Sequence, residues 1–82
     1  MTLVDEKVLE SAGLTTEQAR VYLVLLESGL SPARHIASKT NLGRALTYKI
    51  LGQLITLQLA EKKKFSGRAA LFAPNHPERL KT

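Results

Sequence analysis

The sequence predicts a mainly α-helical domain with a small β-hairpin near its C-terminal end. Up to residue 58, apolar residues recur at the three- and four-residue intervals of amphipathic helices, in four segments separated by turns that contain glycine. Beyond that point the interval is lost, and two short segments flank Ser66-Gly67, a dipeptide typical of turns. The 82 residues include no cysteine, so apolar packing alone must hold one small core.

The first two helices are predicted over residues 2–12 and 15–28. Gly13 is a natural stop, because glycine readily adopts the left-handed conformation that closes helices. Thr15 and Gln18 fit a capping box, in which each side chain accepts a hydrogen bond from the backbone N–H of the other residue. The second helix is the most apolar part of the chain, so we expect it to form the centre of the core.

The third and fourth helices are predicted to be joined by a tight turn. The third begins at Ser31, whose hydroxyl can cap it, has Pro32 in its first turn and ends near Thr40. Residues 41–43 form the turn, and the fourth helix covers residues 43–58. Its inward face consists of Thr47, Ile50, Leu51 and Leu54. This arrangement is the helix-turn-helix pattern, in which the second helix is presented to DNA.

The last predicted element is a hairpin with arms at residues 59–65 and 68–73. An isolated hairpin is marginal in water, so this one is expected to pack on the helices through Leu59, Leu71 and Phe72. Its tip carries four cations, Lys62, Lys63, Lys64 and Arg68. A basic hairpin after a helix-turn-helix is called a wing, and the predicted architecture is therefore a winged helix-turn-helix with four helices.

The net charge of +5 is concentrated in one part of the chain. Residues 1–30 hold two Lys/Arg and five Asp/Glu, a net −3, whereas residues 31–82 hold ten Lys/Arg and two Asp/Glu, a net +8. Neutralising DNA phosphates releases condensed counterions, so a basic segment that coincides with a helix-turn-helix favours nucleic acid as the partner. Simple solvation of the surface is the alternative explanation of such charge.

Residues 1–77 are predicted to form this one domain, and residues 78–82 to begin a linker or C-terminal helix of a longer protein. No apolar run reaches membrane-spanning length and the N-terminus lacks the order of a signal peptide, which predicts a cytoplasmic protein without a membrane partner. His35 and His76 stand apart from any acidic cluster, and there is no nucleotide-binding glycine loop. No metal site, cofactor or catalytic constellation is therefore predicted.

The strongest candidate for DNA contact is Arg44, which at the start of the fourth helix can reach a guanine edge or a phosphate. Tyr48, one turn later, can donate its hydroxyl to a phosphate, and a core tyrosine is the alternative. At Thr40 and Asn41, ordinary turn capping competes with phosphate contact. The complete predicted DNA-binding set is Arg34, Lys39, Thr40, Asn41, Arg44, Ala45, Tyr48, Lys49, Lys62, Lys63, Lys64 and Arg68.

Several motifs along the chain carry a resemblance to one protein family. They are Gly13-Leu14-Thr15, Glu17, Ala19-Arg20-Val21-Tyr22 and Leu25-Leu26, then Ile36-Ala37, Leu42, Arg44, Tyr48, Leu51 and Leu54, and finally Phe72 and Ala73-Pro74. Through them the chain resembles the TrmB family of transcriptional regulators from about Leu9 to Pro77. The resemblance implies a winged-helix DNA-binding domain, which in characterised members is usually followed by an effector domain that binds sugars.

The sequence departs from that family at three places. Gln58 replaces a usual glycine, so the fourth helix either runs on or ends in a strained turn. Ile55 and Leu57 replace commonly charged residues, and they either form an apolar patch for a partner chain or pack against the N-terminal helix. Leu46 stands on the DNA side, where it either touches a thymine methyl group or weakens base-specific contact.

These observations predict a transcriptional regulator, not an enzyme, that binds double-stranded DNA sequence-specifically. We expect a homodimer, formed through the patch of Ile55 and Leu57 or through other parts of the protein. The alternative is a winged-helix module for protein–protein interaction or dimerisation that does not bind DNA.

Overall fold

The computed structural model describes residues 6–63 and 70–75, which contain four helices and one three-stranded antiparallel sheet. The helices are α1 (Glu6–Ser11), α2 (Thr16–Ser28), α3 (Ala33–Thr40) and α4 (Arg44–Thr56). The strands are β1 (Ser31–Pro32), β2 (Ala60–Lys63) and β3 (Leu71–Pro74), in the sheet order β1-β3-β2. The predicted Ser66-Gly67 turn, together with Lys64, Arg68, His76 and residues 78–82, lies outside the described residues.

Helix α2 forms the centre of the molecule, as predicted, and packs against α1, α3, α4 and β3. Its N-terminus is closed by the predicted capping box: Gln18 N–H donates to Thr15 Oγ1 and Thr15 N–H donates to Gln18 Oε1, both at 3.0 Å. It ends at Gly29, whose φ of 71° and ψ of −142° suit a residue without a side chain. Its buried residues are Ala19, Val21, Tyr22 and Leu25. Burial raises the pKa of the Tyr22 hydroxyl, because desolvation disfavours the charged form.

The predicted start of the third helix at Ser31 is wrong. Ser31 and Pro32 instead form β1, which pairs with Phe72 and Leu71 of β3. The Ser31 hydroxyl donates to the Gly29 carbonyl at 3.0 Å and caps no helix. The extended conformation of Pro32, with φ −75° and ψ 159°, suits both the strand and the step into α3, which begins one residue later and ends at Thr40 as predicted.

Helix α4 is shorter than the predicted range of 43–58, because it begins at Arg44 and ends at Thr56. Asn41 makes the preceding turn in the left-handed conformation, with a φ of 61°. Gln58 also has a positive φ, 65°, so the chain turns there and the helix does not run on. The predicted inward face of Thr47, Ile50, Leu51 and Leu54 is confirmed.

The predicted two-stranded hairpin is part of a larger sheet, because β1 adds a third strand on the far side of β3. In the hairpin, Ala60 pairs with Pro74 and Lys63 pairs with Leu71. The predicted packing on the helices is confirmed for Leu59 and Phe72, which are buried, whereas Leu71 is only partly buried. Strand β3 extends one residue beyond the predicted arm and ends at Pro74.

One contiguous core joins the helices to the sheet. Its buried members are Leu9 of α1, the four buried residues of α2, Ala33 and Ile36 of α3, Ile50, Leu51 and Leu54 of α4, and Leu59, Ala60 and Phe72 of the sheet region. None of the helices in residues 6–63 combines the length and the apolar content needed to cross a bilayer.

Candidate nucleic-acid interface

One long face of α4 is exposed and basic. The buried residues of this helix fall on one side, and the exposed residues of its first two turns are Arg44, Ala45, Leu46, Tyr48 and Lys49. No acidic side chain occurs between Gly29 and Ala60, so no carboxylate from this stretch offsets its cations. The absence of an acidic residue at the N-terminus of α4 leaves the positive end of the helix dipole uncompensated there. An anionic ligand is favoured at this face.

Tyr48 lies at the junction between α4 and the sheet. Its side chain is 51% exposed, so it is not a core tyrosine. Its ring meets the buried ring of Phe72 edge-on, with centroids 6.3 Å apart and planes at 74°. Aromatic rings prefer such edge-to-face contacts because the positive ring edge meets the negative face. The contact holds the ring of Tyr48 beside β3, while about half of the residue stays exposed.

An exposed hydrogen bond between α2 and α4 was not predicted from the sequence. The Gln18 amide on α2 donates through Nε2 to Gln53 Oε1 on α4 at 2.8 Å. The two residues are 35 positions apart, and no sequence pattern connects them. Side-chain contacts of α4 thus reach both β3, through Tyr48, and α2, through Gln53.

The two polar residues predicted to contact phosphate at the turn before α4 differ in their exposure. Thr40 is buried, and its hydroxyl donates to the Ile36 carbonyl at 2.8 Å. It therefore has the capping role that the sequence left open, and we remove it from the candidate site. Asn41 is exposed and remains a candidate.

The other predicted cations that the structure describes all lie at the surface. Arg34 and Lys39 are exposed on α3, and Lys62 and Lys63 are exposed on β2. Helix α4 packs against β2, so the strand that carries Lys62 and Lys63 lies directly beside the helix that carries Arg44 and Lys49. The described candidate set is therefore Arg34, Lys39, Asn41, Arg44, Ala45, Tyr48, Lys49, Lys62 and Lys63.

The described residues offer no arrangement for metal binding. They contain no group of three or more His, Cys, Asp or Glu side chains that could hold an ion. His35 is engaged with a hydroxyl instead, since its Nε2 lies 3.1 Å from Ser28 Oγ.

Ile55 and Leu57, the two apolar residues that replace commonly charged ones near the end of α4, differ in burial. Ile55 is partly buried and packs against the core, whereas Leu57 is 49% exposed. The predicted apolar patch is therefore reduced to Leu57.

Gly52 lies on the exposed side of α4 without a packing reason for being glycine. A Cβ atom added there would meet nothing within 4 Å. We expect Gly52→Ala to raise the free energy of unfolding by about 0.5–1 kcal/mol, because alanine loses less backbone entropy in a helix. Urea unfolding followed by circular dichroism measures this change.

Gly29→Ala is the matched control, since Gly29 has a φ of +71° and equally open surroundings. There the same added methyl group should destabilise the fold, because side chains disfavour that conformation. A loss of stability in Gly52→Ala would contradict the open environment assigned to Gly52.

Comparison with known proteins relates the chain to transcriptional regulators. The sequence profile of a family described as sugar-specific transcriptional regulator TrmB matches residues 9–78. No protein of curated function gives a significant match. Among solved structures, a mutant of ZitR from Lactococcus lactis is 26% identical with a TM-score of 0.70, over 77% of this chain and 44% of that one.

A second solved structure shares the fold. A MarR family transcriptional regulator from Silicibacter pomeroyi DSS is 20% identical with a TM-score of 0.77, over 93% of this chain and 52% of that one. The chain thus spans about half the length of both proteins.

Proposed function

The chain belongs to the TrmB family of transcriptional regulators, and we propose that it binds double-stranded DNA sequence-specifically through α4 and the wing. In this proposal α4 enters the major groove, while the wing, residues 59–73, follows the phosphate backbone. The observation that carries the proposal is the exposure of Arg44 and Lys49 on α4 and of Lys62 and Lys63 on β2, the strand against which α4 packs. Such a surface supplies both phosphate neutralisation and access to base edges.

The N-terminal half of α4 is the part proposed to contact bases. In helix-turn-helix proteins the first residues of the recognition helix face the base edges, and Arg44 occupies that place here. Arginine can donate two hydrogen bonds to the O6 and N7 atoms of one guanine. In this proposal Tyr48, one turn later and exposed, donates its hydroxyl to a neighbouring phosphate.

The wing is proposed to contribute affinity without sequence preference. Replacing Lys62 and Lys63 together by glutamine should weaken binding to all duplexes and reduce the slope of log K against log salt by about 2, since each phosphate contact contributes about 0.9. The measurement is a titration of fluorescent duplexes at several salt concentrations.

A charge-matched control is available on the opposite part of the chain. Lys7 and Arg20 are exposed on α1 and α2, and their replacement by glutamine removes the same two charges. This control should change the salt slope much less. Equal slopes for the wing variant and the unmodified protein would remove the wing from the DNA interface.

A protein-interaction module is the second candidate function, and the exposed side chain of Leu57 favours it. It predicts negligible binding to duplexes at moderate salt and self-association or partner binding that Leu57→Ala abolishes. The exposed Leu57 is also compatible with a homodimer that binds DNA. In such a dimer the two recognition helices would read half-sites about 34–36 Å apart. Sedimentation velocity with and without a duplex distinguishes a DNA-binding homodimer from a module that binds only protein.

A further inference from the structure

Leu46 is a large apolar side chain at the surface of the first turns of α4. It is 41% exposed, and it is not among the partly buried residues that pack against the core. Its neighbour Ala45 is exposed as well. These two residues form a small apolar surface, here called the Ala45–Leu46 patch.

Exposed cations precede and follow the patch along the helix. At about 100° per residue around a helix, Ala45 and Lys49 fall near the line opposite the buried face, whereas Leu46 lies about a quarter turn away, on the flank next to Lys49. Arg44 precedes the patch and Lys49 follows it, and both are exposed. If these cations lie near phosphates or guanine edges, Ala45 between them faces the base pairs, and Leu46 beside Lys49 borders the same groove. Because the cations beside the patch complement the phosphates of DNA, duplex DNA is favoured over an apolar protein surface as the partner that covers the patch.

The chemistry of the patch selects one feature of the major groove. Neither side chain can donate or accept a hydrogen bond, so neither can read the donors and acceptors of guanine, cytosine or adenine. The C5-methyl group of thymine is the apolar group that the base edges present there. Building on the proposed function, we propose that the Ala45–Leu46 patch reads a thymine methyl group, so that each half-site contains a thymine at a fixed position beneath the start of α4.

Replacing thymine by deoxyuridine removes this methyl group and leaves all hydrogen-bonding groups in place. Duplexes are first selected from a randomised pool with the 82-residue chain at fixed salt, and each thymine of the preferred sequence is then replaced singly. At one thymine per half-site we expect an affinity loss of about fourfold, the factor that corresponds to removing one buried methyl group. The same replacement should not lower the affinity of Leu46→Ala.

Leu30→Ala is the matched control, because Leu30 is a comparably exposed leucine between α2 and β1, outside the proposed interface. It should retain the full sensitivity to deoxyuridine. Circular dichroism confirms that both variants are folded, which we expect because both side chains lie at the surface.

The remaining outcomes separate the two proposals. Failure to select any duplex would refute the proposed function and this inference together. Selected duplexes that bind Leu46→Ala and the unmodified protein with the same sensitivity to every deoxyuridine would refute the inference alone. A change of oligomeric state in Leu46→Ala, without a change in methyl sensitivity, would assign the patch to a protein partner and would also refute it.

Discussion

Phe72→Ala is expected to lower the free energy of unfolding by about 3–5 kcal/mol, the usual cost of truncating a buried phenylalanine. Phe72 is 3% exposed, belongs to the central strand of the sheet and pairs with both Ser31 and Lys62. Small domains have a total stability of only about 5–15 kcal/mol, so this variant should lose much of its folded population. Urea unfolding at 25 °C, monitored by far-ultraviolet circular dichroism, measures the effect.

Two neighbouring variants separate burial from the aromatic contact. Leu71→Ala changes the adjacent residue, which is only partly buried, and should cost clearly less than Phe72→Ala. Phe72→Leu keeps most of the buried volume but removes the edge contact to Tyr48, a contact worth about 0.5–1.5 kcal/mol. Equal destabilisation by Phe72→Ala and Leu71→Ala would show that Phe72 does not anchor the sheet to the helices.

Arg44→Ala is expected to weaken binding to the preferred duplex by about 1–3 kcal/mol and to relax the preference at one base pair. The reason is the loss of a bidentate contact to guanine, whose partner groups would be left unpaired. Affinities for the preferred duplex and for its single-base variants, measured at one salt concentration, give both quantities.

Arg44→Lys distinguishes a base contact from a phosphate contact, because lysine keeps the charge but lacks the planar fork. If Arg44 binds guanine, the lysine variant should lose base preference while the salt slope stays nearly constant. Arg20→Ala, at an exposed arginine of α2, is the control for removing one charge. Unchanged affinity and preference in Arg44→Ala would exclude this residue from the interface.

The sequence predicted the parts of the fold that depend on local patterns. The capping box at Thr15 and Gln18, the turn at Asn41 and the inward face of α4 are all encoded within a few residues. The third strand was missed because β1 has only two residues and its partner lies about forty positions further along the chain. A serine followed by a proline satisfies the signature of a helix start equally well, so tertiary pairing decided the outcome.

The sequence predicted which charged residues of the candidate site are exposed, but not which side chains of the site contact one another. The cations of α3, α4 and β2 that were expected at the surface are exposed where the structure describes them. Burial of the Thr40 hydroxyl and its bond to the Ile36 carbonyl depend on how α3 packs, which a local motif does not specify. The contacts of Gln18 with Gln53 and of Tyr48 with Phe72 join distant segments, and only the assembled fold defines them.

The sheet order β1-β3-β2 also limits how two copies of this chain can associate. Strand β3 is paired on both sides, so its backbone offers no free edge to another chain. One outer edge is β1, which has two residues and contains Pro32, and the other is β2, which carries Lys62 and Lys63. Very short strands, proline and lysine are the features by which natural sheets resist edge-to-edge pairing. Copies of this chain at high concentration should therefore not aggregate through their sheets, and a specific dimer would use helical surfaces instead.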